Sequence, residues 1–505
     1  MMLNRHQRII FLILLLLEAS IIVINGSITD VSLGDESHHY RFAQNIYREG
    51  KRVPFDPLYE SGNPPGFFYN DPPLWHLILA FVWKMTGGIS QTVAQVYHIL
   101  FFMLLVWVTS ILAREVSGEE GRWSSALVLT TVPMVVSFST LLYMDIPVTA
   151  LSVLSFYLIL KRRYLEAGVS SGLVYFTKLS GAFFFPGFLF IIFWHERKKF
   201  WVLARSMFFF VIPICMIYFP DQIWRRWNIT SQMDIIGWSS VSHRLSMGLS
   251  GVSGLPGLLV SGWRPREYLN SYLTNPVDLP KYFGLVLPFL ICFYLVRFRQ
   301  WDKKAAVLWV PIASYIISSV MICGITSDVL YLLPIVPFLV VFFIPSFFSL
   351  GNWLRFIIIA VCFLQFACTS FYIYQRRQVS PEVMGGFEYI RKNVPQDALI
   401  LYPEENLLIY GQRRVVWSAA RGEKRGSYLA GLSLLFWGAN HEEMNDFFRE
   451  NRIDHILIKK SRVYDDREEQ NLGGYPKSFV EKLSNLDGWV KVFENPAVAL
   501  WKRVQ

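Results

Sequence analysis

An acidic pair opens the motif Gly34-Asp35-Glu36-Ser37-His38-His39-Tyr40, directly behind the first apolar run of the chain. Such a pair at the face of a membrane, at the start of a helix, is a candidate functional group. It also serves structure: Ser32 and Asp35 fit a capping box, and a helix N-terminus favours negative charge in any case. The two histidines could join the acids in a metal site, although a His pair on a surface helix is more often plain polar surface. A further acid, Asp145, stands in Tyr143-Met144-Asp145-Ile146-Pro147, at a tight turn between two apolar runs. The proline there starts the next helix, so the acid is in part a turn residue. An acid held so close to hydrocarbon is nevertheless costly and usually comes with a partner or a substrate. Lys178, in Thr177-Lys178-Leu179-Ser180-Gly181, interrupts an otherwise unbroken apolar stretch. Its ammonium either snorkels to the surface or faces an anion or a wet cavity. The stretch 221 to 280 adds Trp224, Arg225, Arg226, His243, Arg244, Arg264 and Arg266. Guanidinium forks suit phosphate, and basic residues beside a membrane also meet lipid headgroups.

What must position these groups is a membrane bundle. With 53% hydrophobic and 17% charged residues over 505 positions, the chain is too apolar to be a string of soluble domains. The net charge of +10 would suit nucleic acid, but the basic residues fall in short clusters between apolar runs. Topology and anionic membrane lipids explain that excess, and no nucleic-acid partner is expected. All five cysteines lie inside apolar segments without metal-ligand spacing, so no disulfide framework is expected. About eleven spans are predicted: 9 to 24, 94 to 113, 123 to 141, 143 to 160, 168 to 180, 181 to 194, 201 to 220, 281 to 297, 305 to 323, 329 to 347 and 353 to 374. The first is read as an anchor rather than a cleaved signal. Pro72 to Met85 is apolar but short, opens on two prolines, and reads as an interfacial or dipping helix.

Orientation follows from the basic clusters. Arg114 to Arg122, Lys161-Arg162-Arg163, Arg197-Lys198-Lys199 and Arg297 to Lys304 share one side if the N-terminus is cytoplasmic. The same parity puts the loops 25–93 and 221–280 and everything after Gln375 outside, and it brings Asp35, Asp145 and Lys178 to one leaflet. Behind Asp35, the residues Tyr40, Ala43, Ile46 and Tyr47 recur at helical spacing opposite Arg41, Arg48 and Glu49, which predicts an interfacial helix. From 376 to 505 charge becomes dense, and short β-rich runs (398–402, 414–417, 455–458, 489–493, 498–501) alternate with helical stretches such as 441–451. The fold class is therefore mainly α: a polytopic transmembrane bundle over 1–375, followed by a soluble extracytoplasmic α/β domain over 376–505.

In this order the motifs resemble the GT-C glycosyltransferases, in particular the branch of protein O-mannosyltransferases and lipid A aminoarabinose transferases. The matching residues are Asp35-Glu36 with Tyr40, Pro72-Pro73-Leu74, Asp145-Ile146-Pro147, Thr177-Lys178, and Ser327-Asp328-Val329-Leu330-Tyr331-Leu332-Leu333-Pro334, spread over 1 to 375. The resemblance implies an enzyme of the plasma or inner membrane that moves a sugar, a hexosyl or pentosyl group, from a polyprenyl-phosphate donor. The acceptor would be a protein, lipid or glycan at the outer face. Asp35 would be the general base, with Glu36 beside it, and Lys178 with Arg264 or Arg266 would neutralise the leaving lipid phosphate. Asp145 would orient the lysine or the acceptor, and Tyr40 and Tyr331 would contact substrate. A divalent cation, Mg or Mn, at Asp35 and Glu36 is left open. Two positions depart from the aminoarabinose transferase pattern: Asp71 stands where lysine is typical before the two prolines, and Leu330 where arginine often precedes the tyrosine. A transporter or flippase of a lipid-linked sugar is the alternative; it would hold its charges near the midplane, accessible from both sides.

Overall fold

The structure, a computed structural model, describes residues 5–29, 31, 36–56, 59–60, 67–68, 72–225, 227–228, 282–297, 306–323, 329–376, 378, 380–402, 407–417, 440–464 and 475–504. Two compact units divide the chain: Met1–Ile28 with Asp71–Arg376, and Thr29–Asn70 with Arg377–Gln505.

The first unit is helical. It opens with α1 (Arg5–Ile28); the next helix, α2 (Glu36–Glu49), belongs to the second unit. The first unit resumes with α3 (Leu74–Thr86), α4 (Gln91–Thr131), α5 (Pro133–Thr140), α6 (Asp145–Leu160), α7 (Tyr164–Thr177), α8 (Phe185–Glu196) and α9 (Phe200–Arg225). It continues with α10 (Val286–Arg297), α11 (Trp309–Cys323), α12 (Val336–Phe348) and α13 (Asn352–Arg376). By length and composition four helices among the described residues can cross a membrane: α4, the segment Leu179–Glu196, α9 and α13. A fifth candidate is α5 with α6, a pair bent by 118°. Five shorter apolar helices, Leu12–Ile28, Leu74–Thr86, Val286–Val296, Trp309–Ser318 and Leu332–Phe348, occupy further predicted positions. Large apolar side chains such as Phe81, Leu100, Met216, Val296, Trp353 and Phe371 are exposed on these helices. Water would not tolerate that much apolar surface, whereas lipid does, so the chain is a multi-pass membrane protein.

The basic loop expected at 114–122 is almost absent. Helix α4 runs through it with one break at Gly118, whose φ of +76° a side chain would strain. Glu119 pairs there with Arg114 and Arg122, and Glu115 with Lys161 at 2.7 Å.

Helix α7 is gripped on two sides. Toward α6, Ser155 shares a 2.7 Å hydrogen bond with Ser171 and donates to the Ala167 carbonyl, while Ser170 donates to Leu151. Toward α9, Gly168 and Gly172 present bare backbone: a Cβ on Gly168 would meet the Phe210 and Phe209 carbonyl oxygens, and one on Gly172 would meet Ile217 and Pro213. Without a hydrophobic drive between helices in lipid, small residues four apart let backbones close to van der Waals contact.

The second unit is a three-layer α/β domain. Its strands β1 (Phe55–Asp56) and β3 (Phe67–Phe68) form a small antiparallel pair. The main sheet uses β2 (Tyr59–Glu60), β4 (Leu399–Tyr402), β5 (Arg414–Trp417), β6 (His455–Lys459), β9 (Trp489–Glu494) and β10 (Val498–Arg503), in the order β2-β5-β4-β6-β10-β9. The first four are parallel; β10 is antiparallel to β6 and β9. A second small pair joins β7 (Val463–Tyr464) to β8 (Tyr475–Pro476). The period-two pleat sends Ile400 and Tyr402 into a core with Val383, Phe387 and Ile390 of α14 (Pro381–Asn393). Leu399 and Leu401 face the other way, onto Met444 and Phe448 of α15 (His441–Glu450) and Phe479 and Leu483 of α16 (Lys477–Ser484). Central strands covered on both faces read as continuous apolar runs, which is why they were legible in the sequence.

Residues 29–70, expected to accompany the membrane part as its first outer loop, cluster instead with the C-terminal residues, because β2 adds to the sheet beside β5 and the Val31 amide donates to the Tyr410 hydroxyl. The expected interfacial helix is α2, but it is buried nearly all round. Arg41, placed on its polar face by the periodicity, is only 1% exposed and donates to Gln44 and Asn45 of the same helix.

Candidate functional site

Asp145 is the first residue of α6, and Lys178 is the residue at which α7 ends. The two are 33 positions apart, yet the Lys178 ammonium donates to both carboxylate oxygens, at 2.9 Å to Oδ1 and 2.8 Å to Oδ2. The side chains are 7% and 20% exposed. Each end of the pair has a local cause. The start of α6 offers the positive end of a helix dipole to the carboxylate. Lys178 leaves the helix in an extended conformation, φ −153° and ψ 135°, while its amide still donates to the Val174 carbonyl. The chain then turns into a short 3-10 helix, Leu179–Phe184, pressed onto α7 and α6 at Gly181, where a Cβ would collide with Val174. That turn aims the lysine stem across to α6.

The turn before Asp145 is braced from α4. Gln95 and His98, one helical turn apart and both fully buried, meet the last carbonyls of α5: Gln95 Nε2 donates to Ser139 at 2.6 Å, and His98 Nε2 to Phe138 at 3.1 Å. These carbonyls have no partner within α5, so the side chains satisfy groups a broken helix leaves open. A carbonyl accepts only, which assigns the proton of His98 to Nε2.

A second buried ionic group lies at the same end of the bundle. Tyr175, three residues before Lys178, donates through its hydroxyl to Asp221 Oδ2 at 2.9 Å, and Gln222 Nε2 donates to that hydroxyl at 2.6 Å. Arg225 Nε donates to the same Asp221 oxygen at 2.7 Å. Asp221 and Arg225 are 3% and 8% exposed. The sequence reading missed Asp221 because it ended the span at 220, whereas α9 continues to Arg225. The available signal was the acid four residues ahead of an arginine at the rim of an apolar helix.

The remaining predicted residues lie elsewhere. Glu36, in the first turn of α2, and Tyr40 on the same helix are buried and belong to the second unit. Burial raises the Tyr40 phenol well above its ordinary range, a shift only partly offset by a hydrogen bond with Gln44, so the hydroxyl keeps its proton. Tyr331 falls in the 3-10 helix Val329–Ile335. Asp35, Arg264 and Arg266 lie outside the described residues. Among the described residues no three His, Cys, Asp or Glu side chains come together to hold a metal ion.

The fold is that of the GT-C type membrane glycosyltransferases. ArnT of Cupriavidus metallidurans, bound to undecaprenyl phosphate, superposes with a TM-score of 0.65 over 99% of this chain and 98% of its own, at 11% identity. Its apo form gives 0.61 at 13% identity over 98% and 97%. The oligosaccharyltransferase of Archaeoglobus fulgidus, in complex with zinc and sulfate, gives 0.60 at 13% identity over 88% of this chain and 67% of its own. Within the chain, residues 70–224 match the family model of dolichyl-phosphate-mannose-protein mannosyltransferases, a segment that contains Asp145, Lys178, Tyr175 and Asp221. No curated protein sequence matches the chain.

Proposed function

We propose that this protein transfers a sugar, a hexosyl or pentosyl group, from a polyprenyl-phosphate donor to an acceptor protein, lipid or glycan at the outer face of the plasma or inner membrane. The observation that carries the reading is the Asp145–Lys178 pair, an ammonium held ready at one end of a GT-C type bundle, inside the segment matched by a lipid-phosphate sugar transferase family. The relatives in fold support the donor class: one was solved with undecaprenyl phosphate, and the archaeal AglB with dolichol phosphate and an inhibitory peptide. The basic turns at Lys161-Arg162-Arg163 and Arg197-Lys198-Lys199 lie at the other end of α6, α7 and α9. With the N-terminus cytoplasmic and these basic turns inside, this reading has the pair, the residues 29–70 and the C-terminal domain outside.

In this reading Asp35, with Glu36 beside it, removes the proton from the acceptor hydroxyl. The acceptor oxygen bonds to the anomeric carbon, the bond from that carbon to the phosphate oxygen breaks, and the lipid phosphate leaves with the electron pair. Phosphate is a good leaving group only if its growing charge is met by cations, which is the role of Lys178 and of Arg264 or Arg266. Asp145 holds the lysine in place, and Tyr40 and Tyr331 contact substrate. The test is transfer by purified protein from a panel of radiolabelled polyprenyl-phosphate sugars, with and without chelator. Asp35→Asn is expected to remain folded and inserted but lose transfer. Full activity in that variant would remove Asp35 from its role, and movement of label across vesicles without transfer would favour a flippase.

A further inference from the structure

Helices α7 and α9 run parallel, and their contacts climb together. Gly168 meets Phe210, Gly172 meets Pro213 and Ile217, and Tyr175 meets Asp221. Beyond Tyr175 and Asp221 the two helices end within four residues, α7 at its cap Lys178 and α9 at Arg225. Each cation is already held by its own carboxylate, Lys178 by Asp145 and Arg225 by Asp221. A bare cation at the edge of hydrocarbon pays a large desolvation cost, which a carboxylate partner offsets in part.

We propose that Arg225 is a further cation of the lipid-phosphate site, added to Lys178 and the loop arginine, and that Asp221, Tyr175 and Gln222 are positioning residues that aim its guanidinium. This rests on the sugar-transfer reading above and deepens it by naming a phosphate contact on the rigid bundle. The Asp221 carboxylate, 2.7 Å from Arg225 and itself held by the Tyr175 phenol at 2.9 Å, fixes the arginine before the anion arrives, so little reorganisation accompanies binding. A planar fork of donors also suits a phosphate oxygen pair better than a lone ammonium. Asp221 sits in the last turn of α9, where a carboxylate opposes the helix dipole. Its position there is explained by what it holds.

The test is binding of undecaprenyl phosphate, with undecaprenol as the uncharged control, to full-length protein in nanodiscs. Arg225→Gln is expected to weaken the phosphate lipid by about 10- to 100-fold, the range for a lost charge-assisted hydrogen bond, while undecaprenol binding stays unchanged. Arg225→Lys should fall between that variant and the wild type. Tyr175→Phe, which leaves both charges in place, should raise the dissociation constant for the phosphate lipid about 3-fold without changing undecaprenol. Equal loss of both lipids, or wild-type binding of the phosphate lipid by Arg225→Gln, would overturn the proposal and leave the transferase reading standing. Wild-type protein that binds the two lipids alike would overturn both.

Discussion

Asp145→Asn tests whether the Asp145–Lys178 pair is one electrostatic unit. At 2.8 Å two unit charges attract by about 6 kcal/mol at an effective dielectric near 20, and desolvation offsets much of that. Removing one partner of a buried pair costs about 3–5 kcal/mol, because the other charge is left stranded. Lys178 is 20% exposed and can draw on some solvent, which puts the expected loss near the lower end, about 3 kcal/mol. Lys178→Met removes the cation and leaves the carboxylate to the α6 dipole alone, a somewhat smaller loss of about 2 kcal/mol. The double variant has no stranded charge, so its loss should fall short of the sum by at least about 2 kcal/mol. Reversible unfolding in mixed detergent micelles, followed by tryptophan fluorescence, measures all three. Transfer activity separates chemistry from folding: the double variant should recover stability but not activity, since no ammonium remains to meet the phosphate. Losses that add within about 0.5 kcal/mol would refute the reasoning and make the pair a surface contact of little weight.

Two further outcomes are expected. Gly168→Ala pushes a methyl group into the Phe210 carbonyl at the α7–α9 contact and should cost about 1–3 kcal/mol, seen as a lower thermal midpoint. Gly351→Ala, where nothing lies within 4 Å of the new methyl, should stay within about 0.5 kcal/mol and serves as the control. In the C-terminal domain, burial in β6 lowers the His455 imidazole from 6.5 to about 4, with Asp454 opposing and Lys502 reinforcing the shift. A depressed histidine is neutral in the fold while the unfolded chain binds a proton. Its contribution is therefore complete above pH 6.5, falls between 6.5 and 4, and amounts to about 2 kcal/mol after allowance for solvent screening. Hydrogen exchange of the Ile456–Ile458 amides, corrected for intrinsic rate, should show opening becoming easier across that window in the wild type and not in His455→Gln. A flat profile in the wild type would remove the histidine from this role.

Much of the architecture could be read from residue order, because its causes are local. Apolar runs of membrane length with basic clusters between them predicted the bundle, and short β-rich runs at 398–402, 414–417, 455–458, 489–493 and 498–501 predicted strands found at 399–402, 414–417, 455–459, 489–494 and 498–503. Asp145 and Lys178 stood out for the same local reason, a charge where hydrocarbon was expected. Their bond did not, since it needs α7 to stop at Thr177 and the next turn to press Gly181 against Val174, a packing decision made between helices. Asp221 was half legible: its arginine four residues on stands in the residue order, but its bond to Tyr175 is a contact between α7 and α9. The place of residues 29–70 likewise depended on a two-residue strand, Tyr59–Glu60, finding an open edge at β5, and so short a segment carries no periodicity. Which charges exist, and in which helices, was settled by the order of residues. Which of them meet was settled by the bundle, because bare glycine backbone lets α7 and α9 approach closely enough for side chains far apart in the chain to share a proton or a charge.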